Sequence, residues 1–220
     1  PKGYTATYTA RPPLVDGDIS DSVWLKAQWS DDFVDIEGDR KPVPPLKTNV
    51  KMLWNDSCLF ICANLHEPDV WATLQQHDTI IFMDNDFEVF IDPDNDGLNY
   101  YELEVNPNNT VFDLFLPKPY RNKGTAIIAY NFPALQTAVQ INGTLNQPGD
   151  RDSGWTVEIA IPFKALDLSH TTDPEKKGTE WRINFSRVEW DVVYENGRYV
   201  KKKGRQGLDL PEQNWVWSPQ

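Results

Sequence analysis

Polar and apolar residues alternate along much of this chain, and that alternation predicts strands. The pattern is cleanest at 87–92 (Phe-Glu-Val-Phe-Ile-Asp) and 100–106 (Tyr-Tyr-Glu-Leu-Glu-Val-Asn), separated by a turn rich in Asp, Asn and Gly. Period two marks strands with one buried and one open face, and the turn residues join them as a hairpin. Comparable runs occupy 4–9, 48–54, 59–65, 111–116, 135–141, 155–161, 181–188, 192–194 and 198–200. The last two flank Glu195-Asn196-Gly197, and Asn-Gly is a strong hairpin signal. Helical signals are confined to a short segment capped by Ser20 or Asp21 that runs through Val23, Trp24 and Ala27, and to one turn at 163–168. About ten antiparallel strands with one or two short helical turns predict an all-β sandwich, jelly-roll or immunoglobulin-like. No repeat or linker divides the chain, so one domain is expected over 1–220, with surface loops at 42–45 and 171–178.

The open face of the 86–106 hairpin is unusual. It carries Asp86, Glu88, Phe90 and Asp92 on one strand and Glu102, Glu104 and Asn106 on the other. Pairing Val89 with Leu103 sets Glu88 across from Glu104, and a shift of two residues sets it across from Glu102. Like charges facing each other destabilise a sheet unless a cation, an arginine or a ligand compensates. Arg187, alternating with Trp181 and Phe185, is the candidate to neutralise the face.

Composition narrows the function. A net charge of -12 and a pI near 4.6 argue against nucleic-acid binding. The basic run Lys201–Lys203 with Arg205 reads as a solvated edge. No run approaches the roughly 18 apolar residues of a membrane span. The chain starts at Pro1 and shows no signal peptide, which suggests a mature or trimmed product. Nine Trp, eight Tyr and ten Phe on a background of mean hydropathy -0.56 leave rings to spare for water or a ligand. Cys58 and Cys62 sit in one strand-like run, about 13 Å apart, too far for a disulfide. They read as buried thiols.

Several chemistries fit parts of the chain. Asp92, Asp94 and Asp96 with Gly97 have the D-x-D-x-D-G spacing that wraps oxygens around Ca²⁺. Leu103 stands where a helix-loop-helix site carries Glu, so other oxygens would be needed; an ordinary Asx-rich turn uses the same residues. Glu88 facing Glu104 or Glu102 resembles the carboxylate pair of a retaining glycosidase, yet no further catalytic signature accompanies it. His66, His77 and His170 form no ligand spacing, although His66 or His77 with Met52 or Met83 could ligate haem. Trp71 and Phe82 precede the acidic hairpin, and Trp215 and Trp217 close the chain. Such rings stack on the C–H faces of sugars while carboxylates and amides bind hydroxyls. Trp24, Trp54, Trp155 and Trp181, embedded in periodic runs, read as core.

Five segments in order resemble the family 9 carbohydrate-binding modules. They are Asp16-Gly17-Asp18 followed by Trp24 and Ala27; VKMLWNDSCLFICANLHEPDV; DNDFEVFIDPDNDGLNYYELEVN; WTVEIAIPFKAL with WRINFSRVEW; and NWVWSP. The resemblance implies a non-catalytic β-sandwich, structural Ca²⁺, and a sugar held between two aromatic rings over polar groups. By position, Glu88 falls on a ligand-contact carboxylate and Asn106 on a contact amide. Phe82 falls near the first stacking ring, and Trp215 or Trp217 near the second. Glu104 stands where glucan- and xylan-binding members carry Arg. The resemblance further implies an extracellular, cell-surface or periplasmic protein working with, or appended to, glycoside hydrolases. It also implies one more strand past Trp217-Ser218-Pro219, so that edge is expected to be either trimmed or open.

Overall fold

The computed structural model describes residues 2–166 and 178–219; His170 and all of the expected loop at 171–178 except Gly178 lie outside them. Two sheets pack face to face. The first runs, in spatial order, β1 (Thr7–Tyr8), β3 (Thr48–Trp54), β4 (Cys58–Leu65), β9 (Gly154–Pro162) and β8 (Gln136–Asn142). The second runs β2 (Val34–Asp35), β13 (Gln213–Val216), β10 (Arg182–Glu189), β5 (Asp86–Asp92), β6 (Tyr100–Val105) and β7 (Val111–Leu116). A separate hairpin joins β11 (Val192–Glu195) to β12 (Arg198–Lys201) through Asn196-Gly197. All pairings are antiparallel except the two-residue contact of β1 with β3. Among the described residues helix is limited to 3-10 turns, and at Ser22–Lys26 the Asp21 carboxylate caps the Val23 N–H.

The sandwich interior follows the alternation. Phe87, Val89, Ile91, Tyr101, Leu103, Val105 and Phe185 point inward from the six-stranded sheet. They meet Val50, Met52, Ile61, Ala63, Leu65, Trp155, Val157 and Ile159 from the other. Burial of such side chains, each contributing about 1.5–3 kcal/mol, is what holds the sheets together.

A second, smaller core lies outside the five-stranded sheet, where Val23, Trp24 and Ala27 cover Leu53, Phe60, Cys62 and Ala160. Glu158, fully buried, organises it by accepting from Trp24 Nε1 (2.6 Å), Gly17 N (2.9 Å) and Asp16 N (3.0 Å). Gly17 is required by geometry: its φ is +88°, and a Cβ there would sit 2.7 Å from Gln140 N. The Asp16-Gly17-Asp18…Trp24 motif is thus a seal over one face of the sandwich. Cys58 and Cys62 are both free, and burial pushes the Cys62 thiol pKa up.

The strand edges differ little from those expected, with three exceptions. Residues 4–9 form only a two-residue strand, and 34–35 and 213–216 form strands that the alternation did not suggest. The short β2 and β13 pair with each other and extend the six-stranded sheet.

Candidate functional site

The hairpin adopts the first of the two expected registers: Val89 pairs with Leu103 and Glu88 with Glu104. Glu88 also pairs laterally with Ser186 on β10, whose hydroxyl hydrogen-bonds its carboxylate. Asp86, Glu88, Glu102 and Glu104 therefore share the outer face of the six-stranded sheet, and all four are buried. Carboxylate oxygens of Asp86, Glu88 and Glu104 lie within 4.8 Å of one another.

Three pieces of chain cover this face. The 3-10 turn Ile81–Met83 lies across it, with Phe82 N donating to Glu104 Oε2 (3.1 Å). Ile81 packs on Phe112, Leu114 and Leu116 of β7. Trp190 packs with Trp71 and Val188, and its Nε1 donates to Phe82 O (2.8 Å). Tyr120, from the β7–β8 connection, reaches Glu102 Oε2 with its hydroxyl (3.4 Å).

Burial has a strong electrostatic consequence, because a carboxylate removed from water favours its neutral form. Burial pushes Glu88 up to about 7. It pushes Glu102 up to about 8, with the charge of Glu88 adding. Glu104 rises to about 10 from burial, then from Glu88 and Glu102. Asp86 is also raised well above the usual carboxylate range by burial and its acidic neighbours. One Asp86 oxygen accepts from Val188 N (3.2 Å), and the other, Oδ2, is buried without a partner. Three converging carboxylates and an orphaned oxygen are a donor set that suits a hard divalent cation.

Asp92, Asp94 and Asp96 also converge within 4.8 Å. Asp92 Oδ2 accepts from Gly97 N (2.8 Å) and Asp96 Oδ1 from Leu98 N (2.7 Å), with Asn95 and Gly97 at positive φ. Asp92 Oδ1 is buried and unpartnered. This turn, too, offers oxygens to a cation such as Ca²⁺, with backbone carbonyls and water to complete the shell.

Three expected site residues, Arg187, Trp215 and Trp217, turn to the interior, and two more, Asn106 and Trp71, lie at the acidic face but are spent on internal contacts. Arg187 points to the opposite side of the sheet from Glu88, into the interior. There its guanidinium bonds Glu67 Oε2 (2.6 Å), Glu189 Oε2 (2.7 Å), Thr48 Oγ1 (3.1 Å) and His66 O (2.9 Å). It ties the sheets together instead of neutralising the acidic face, and among the described residues no ion pair reaches Asp86, Glu88, Glu102 or Glu104. Trp215 and Trp217 are core residues: Trp215 lies against the Arg187 guanidinium at 5.2 Å, and Trp217 packs on Phe185 at 6.0 Å. Neither offers a ring face to solvent. Asn106 is at the cluster's end but is saturated. Its amide donates to Leu74 O (2.9 Å) and Asp84 Oδ2 (3.0 Å), and its oxygen accepts from Thr110 N (3.0 Å) and Asn108 N (3.1 Å). Trp71 does lie on the acidic face, but under Trp190 and buried.

Phe82 remains 39% exposed beside the cluster, and Tyr120 is 53% exposed. Ile80 and Met83 are exposed next to Phe82. Tyr120 and Trp190 were not expected at this site; both lie far from the hairpin in sequence, and no local pattern distinguishes them from other surface or core rings. Met52 is in the sandwich core and His77 Nε2 faces Asn131, Asp78 and Asp113 rather than a methionine sulfur, so no haem ligation is assembled from them.

Two packed, mostly antiparallel sheets, one bearing an acidic, ring-flanked outer face, define a β-sandwich with a surface specialised beyond packing. The chain belongs to the carbohydrate family 9 binding domain-like family, whose model matches residues 15–190. The fold is similar to that of a family 9 carbohydrate-binding module from Caldicellulosiruptor kristjanssonii solved with glucose. The TM-score is 0.56 at 17% identity, over 95% of this chain and 83% of that one. The chain is also 23% identical over 167 residues to the exoglucanase XynX of Acetivibrio thermocellus, which covers 76% of this chain and 13% of that protein. It is 25% identical over 154 residues to an extracellular protein of Arthroderma benhamiae, covering 68% of this chain and 66% of that protein. The chain therefore spans less than two thirds of the length of both curated relatives. No helix among the described residues is long and apolar enough to cross a membrane.

Proposed function

We propose that this domain binds carbohydrate without cleaving it, at the rim of the acidic outer face, where exposed Phe82 and Tyr120 flank Glu88 and Glu104. The observation that carries the reading is two accessible rings at the rim of the paired carboxyls, Phe82 tied through its backbone N to Glu104 and Tyr120 through its hydroxyl to Glu102. Rings take the apolar face of a pyranose, and carboxylates take its hydroxyls. Family membership supports the ligand class, as does a relative of this fold solved with glucose and with cellotriose. Ca²⁺ held by Asp92, Asp94 and Asp96 would pin the hairpin turn. A cation held by Asp86, Glu88 and Glu104 would supply the positive charge that Arg187 does not. Work outside the cell alongside glycoside hydrolases follows from the same reading, since one relative is named an exoglucanase and another an extracellular protein.

Hydrolysis by the carboxylate pair is the weaker reading. A retaining glycosidase needs one ionised nucleophile and a cleft that admits the glycosidic bond. Here both carboxyls are buried beneath the Ile81–Met83 turn, which leaves the rim open to a sugar but does not open the pair to a glycosidic bond.

A glycan array probed with the 220-residue chain, with Ca²⁺ and then with EDTA, tests ligand and metal together. Retention on at least one polysaccharide, weakened by EDTA and by Glu88→Gln, with no reducing sugar released, is the expected result. Absence of retention on any glycan in Ca²⁺ would sink the proposal. Release of reducing sugar that Glu88→Gln abolishes would establish the hydrolase instead.

A further inference from the structure

A third cluster of ligating groups lies away from the acidic face, at the free edge of the six-stranded sheet. Asp113 occupies the middle of β7 on its inward side, between Val111 and Phe115. A carboxylate placed there is costly unless each oxygen is compensated. One is: Asp113 Oδ2 accepts from Phe132 N. The other, Oδ1, is buried without a hydrogen-bond partner, in a residue only 1% exposed. It faces His77 Nε2 at 3.5 Å. Asp78 Oδ1 lies 3.4 Å from the same nitrogen, and Asn131 Oδ1 lies 2.6 Å from it. Backbone contacts fix the arrangement, since Asp78 N donates to Val111 O (3.1 Å). One nitrogen and two carboxylate oxygens thus converge within 4.8 Å, with the orphaned Asp113 oxygen aimed at the centre.

The two histidine–aspartate separations match a transition-metal site, and the 2.6 Å hydrogen bond between Nε2 and Asn131 Oδ1 is one the ion would replace. A tetrahedral ion with arms of about 2.1 Å holds its ligand atoms about 3.4 Å apart. The two histidine–aspartate distances of 3.4 and 3.5 Å are edges of that size, and both exceed a good N–H···O bond. The donor set also selects among metals. Imidazole favours Zn²⁺ and its neighbours over Ca²⁺, which takes six to eight oxygens. We propose that His77, Asp78 and Asp113 form a Zn²⁺ site, with the fourth position held by water or by Asn131 Oδ1 once it has given up its 2.6 Å hydrogen bond to Nε2. The ion would clamp three pieces of chain: the segment around 77–78 that leads into the cover of the acidic face, the edge strand β7, and the segment around 131–132. It also gives the buried Asp113 oxygen the partner it otherwise lacks.

The test is a Zn²⁺ titration of the full chain at pH 7.5 in saturating Ca²⁺, so that the all-oxygen sites are occupied. Calorimetry gives the affinity, and Co²⁺ substitution gives the ligand-field bands of a tetrahedral site. One equivalent of Zn²⁺ should bind and raise the Tm, and tetrahedral Co²⁺ bands should appear. His77→Ala and Asp78→Asn should each weaken binding at least about tenfold. Both residues are at the surface, so neither variant endangers folding, and Asp113→Asn is a third arm. If the wild type binds no Zn²⁺, or if His77→Ala binds it equally, the site is an ion pair between protonated His77 and Asp113 and the proposal is wrong. Glycan retention is read separately, so failure here leaves the carbohydrate reading intact.

Discussion

Replacing Glu104 with Gln should stabilise the metal-free protein at neutral pH, the reverse of the usual result for a buried polar residue. The folded protein holds the Glu104 carboxyl near pKa 10, against an ordinary 4.5. A raised folded value means that the group's contribution is fully present below pH 4.5 and is lost as pH rises toward 10. At pH 7.5 the unfolded chain has released this proton while the folded chain keeps it. Three pH units at about 1.4 kcal/mol each give about 4 kcal/mol of lost stability. Gln removes that cost and keeps an acceptor for Phe82 N, but its NH₂ must find a partner, which returns about 1 kcal/mol. Because Glu88 and Glu102 share the repulsion, the net gain should be about 2–3 kcal/mol, or roughly 4–12 °C in Tm for a chain of this size. Urea melts in EDTA at pH 4.5 and 7.5 measure it. The gain should be close to zero or slightly negative at pH 4.5, and added Ca²⁺ should stabilise the wild type more than the variant. A variant that is less stable at pH 7.5, or one with the same shift at both pH values, would refute the reasoning.

Three further outcomes separate structural from ligand-facing residues. Trp215→Ala should lose about 3–5 kcal/mol in a denaturant melt, because the ring is buried in the sandwich and covers the Arg187 guanidinium. Phe82→Ala should leave the melt nearly unchanged and weaken glycan retention, since that ring is exposed; unchanged retention would remove Phe82 from the site. Glu158→Ala should cost about 3 kcal/mol or more, because it strands the buried Trp24 Nε1 and Gly17 N donors and also takes the acceptor from Asp16 N. A loss below about 1 kcal/mol would mean that water replaces the carboxylate there.

The hairpin was legible because strand alternation is strict: once Val89 faces Leu103, Glu88 has to face Glu104. The fate of the aromatic rings was not legible, because the same side chains serve cores and sugars. Trp215 and Trp217 read as stacking rings since four residues in Asn-Trp-Val-Trp carry too little alternation to announce a strand. Only the pairing of Trp215 with Arg187 on one side and Asp35 on the other turns it inward. Arg187 misled for a related reason. Its spacing from Phe185 places both on one face, and that face is the interior, where it meets Glu189 two residues along the same strand and Glu67 from just past the end of β4. Asn106 was located correctly, but its four bonds all run to backbone and side chains of its own loop and its neighbour's. Asp113 shows the opposite failure: Val111-Asp113-Phe115 already placed a carboxylate on an apolar face, a signal visible in the alternation and left unread.

Glu104 joins these threads. By family resemblance its position is held by Arg in glucan- and xylan-binding members, where a Glu–Arg pair would neutralise itself. Glu in that place leaves Glu88, Glu104 and Asp86 without an ion pair among the described residues, since Arg187 is committed to the interior. Such a face has two ways to exist at neutral pH: it keeps protons, as the raised values of Glu88 and Glu104 describe, or it takes a cation. Sugar hydroxyls meeting the protonated face would find donors, and meeting the cation-bound face would find acceptors. Glycan retention by this chain should therefore depend on pH and on Ca²⁺ together. In the absence of Ca²⁺ it should change as pH is raised through about 7, where Glu88 titrates, and in saturating Ca²⁺ it should be flat across the same range. A profile unmoved by either variable would place the sugar somewhere other than this hairpin.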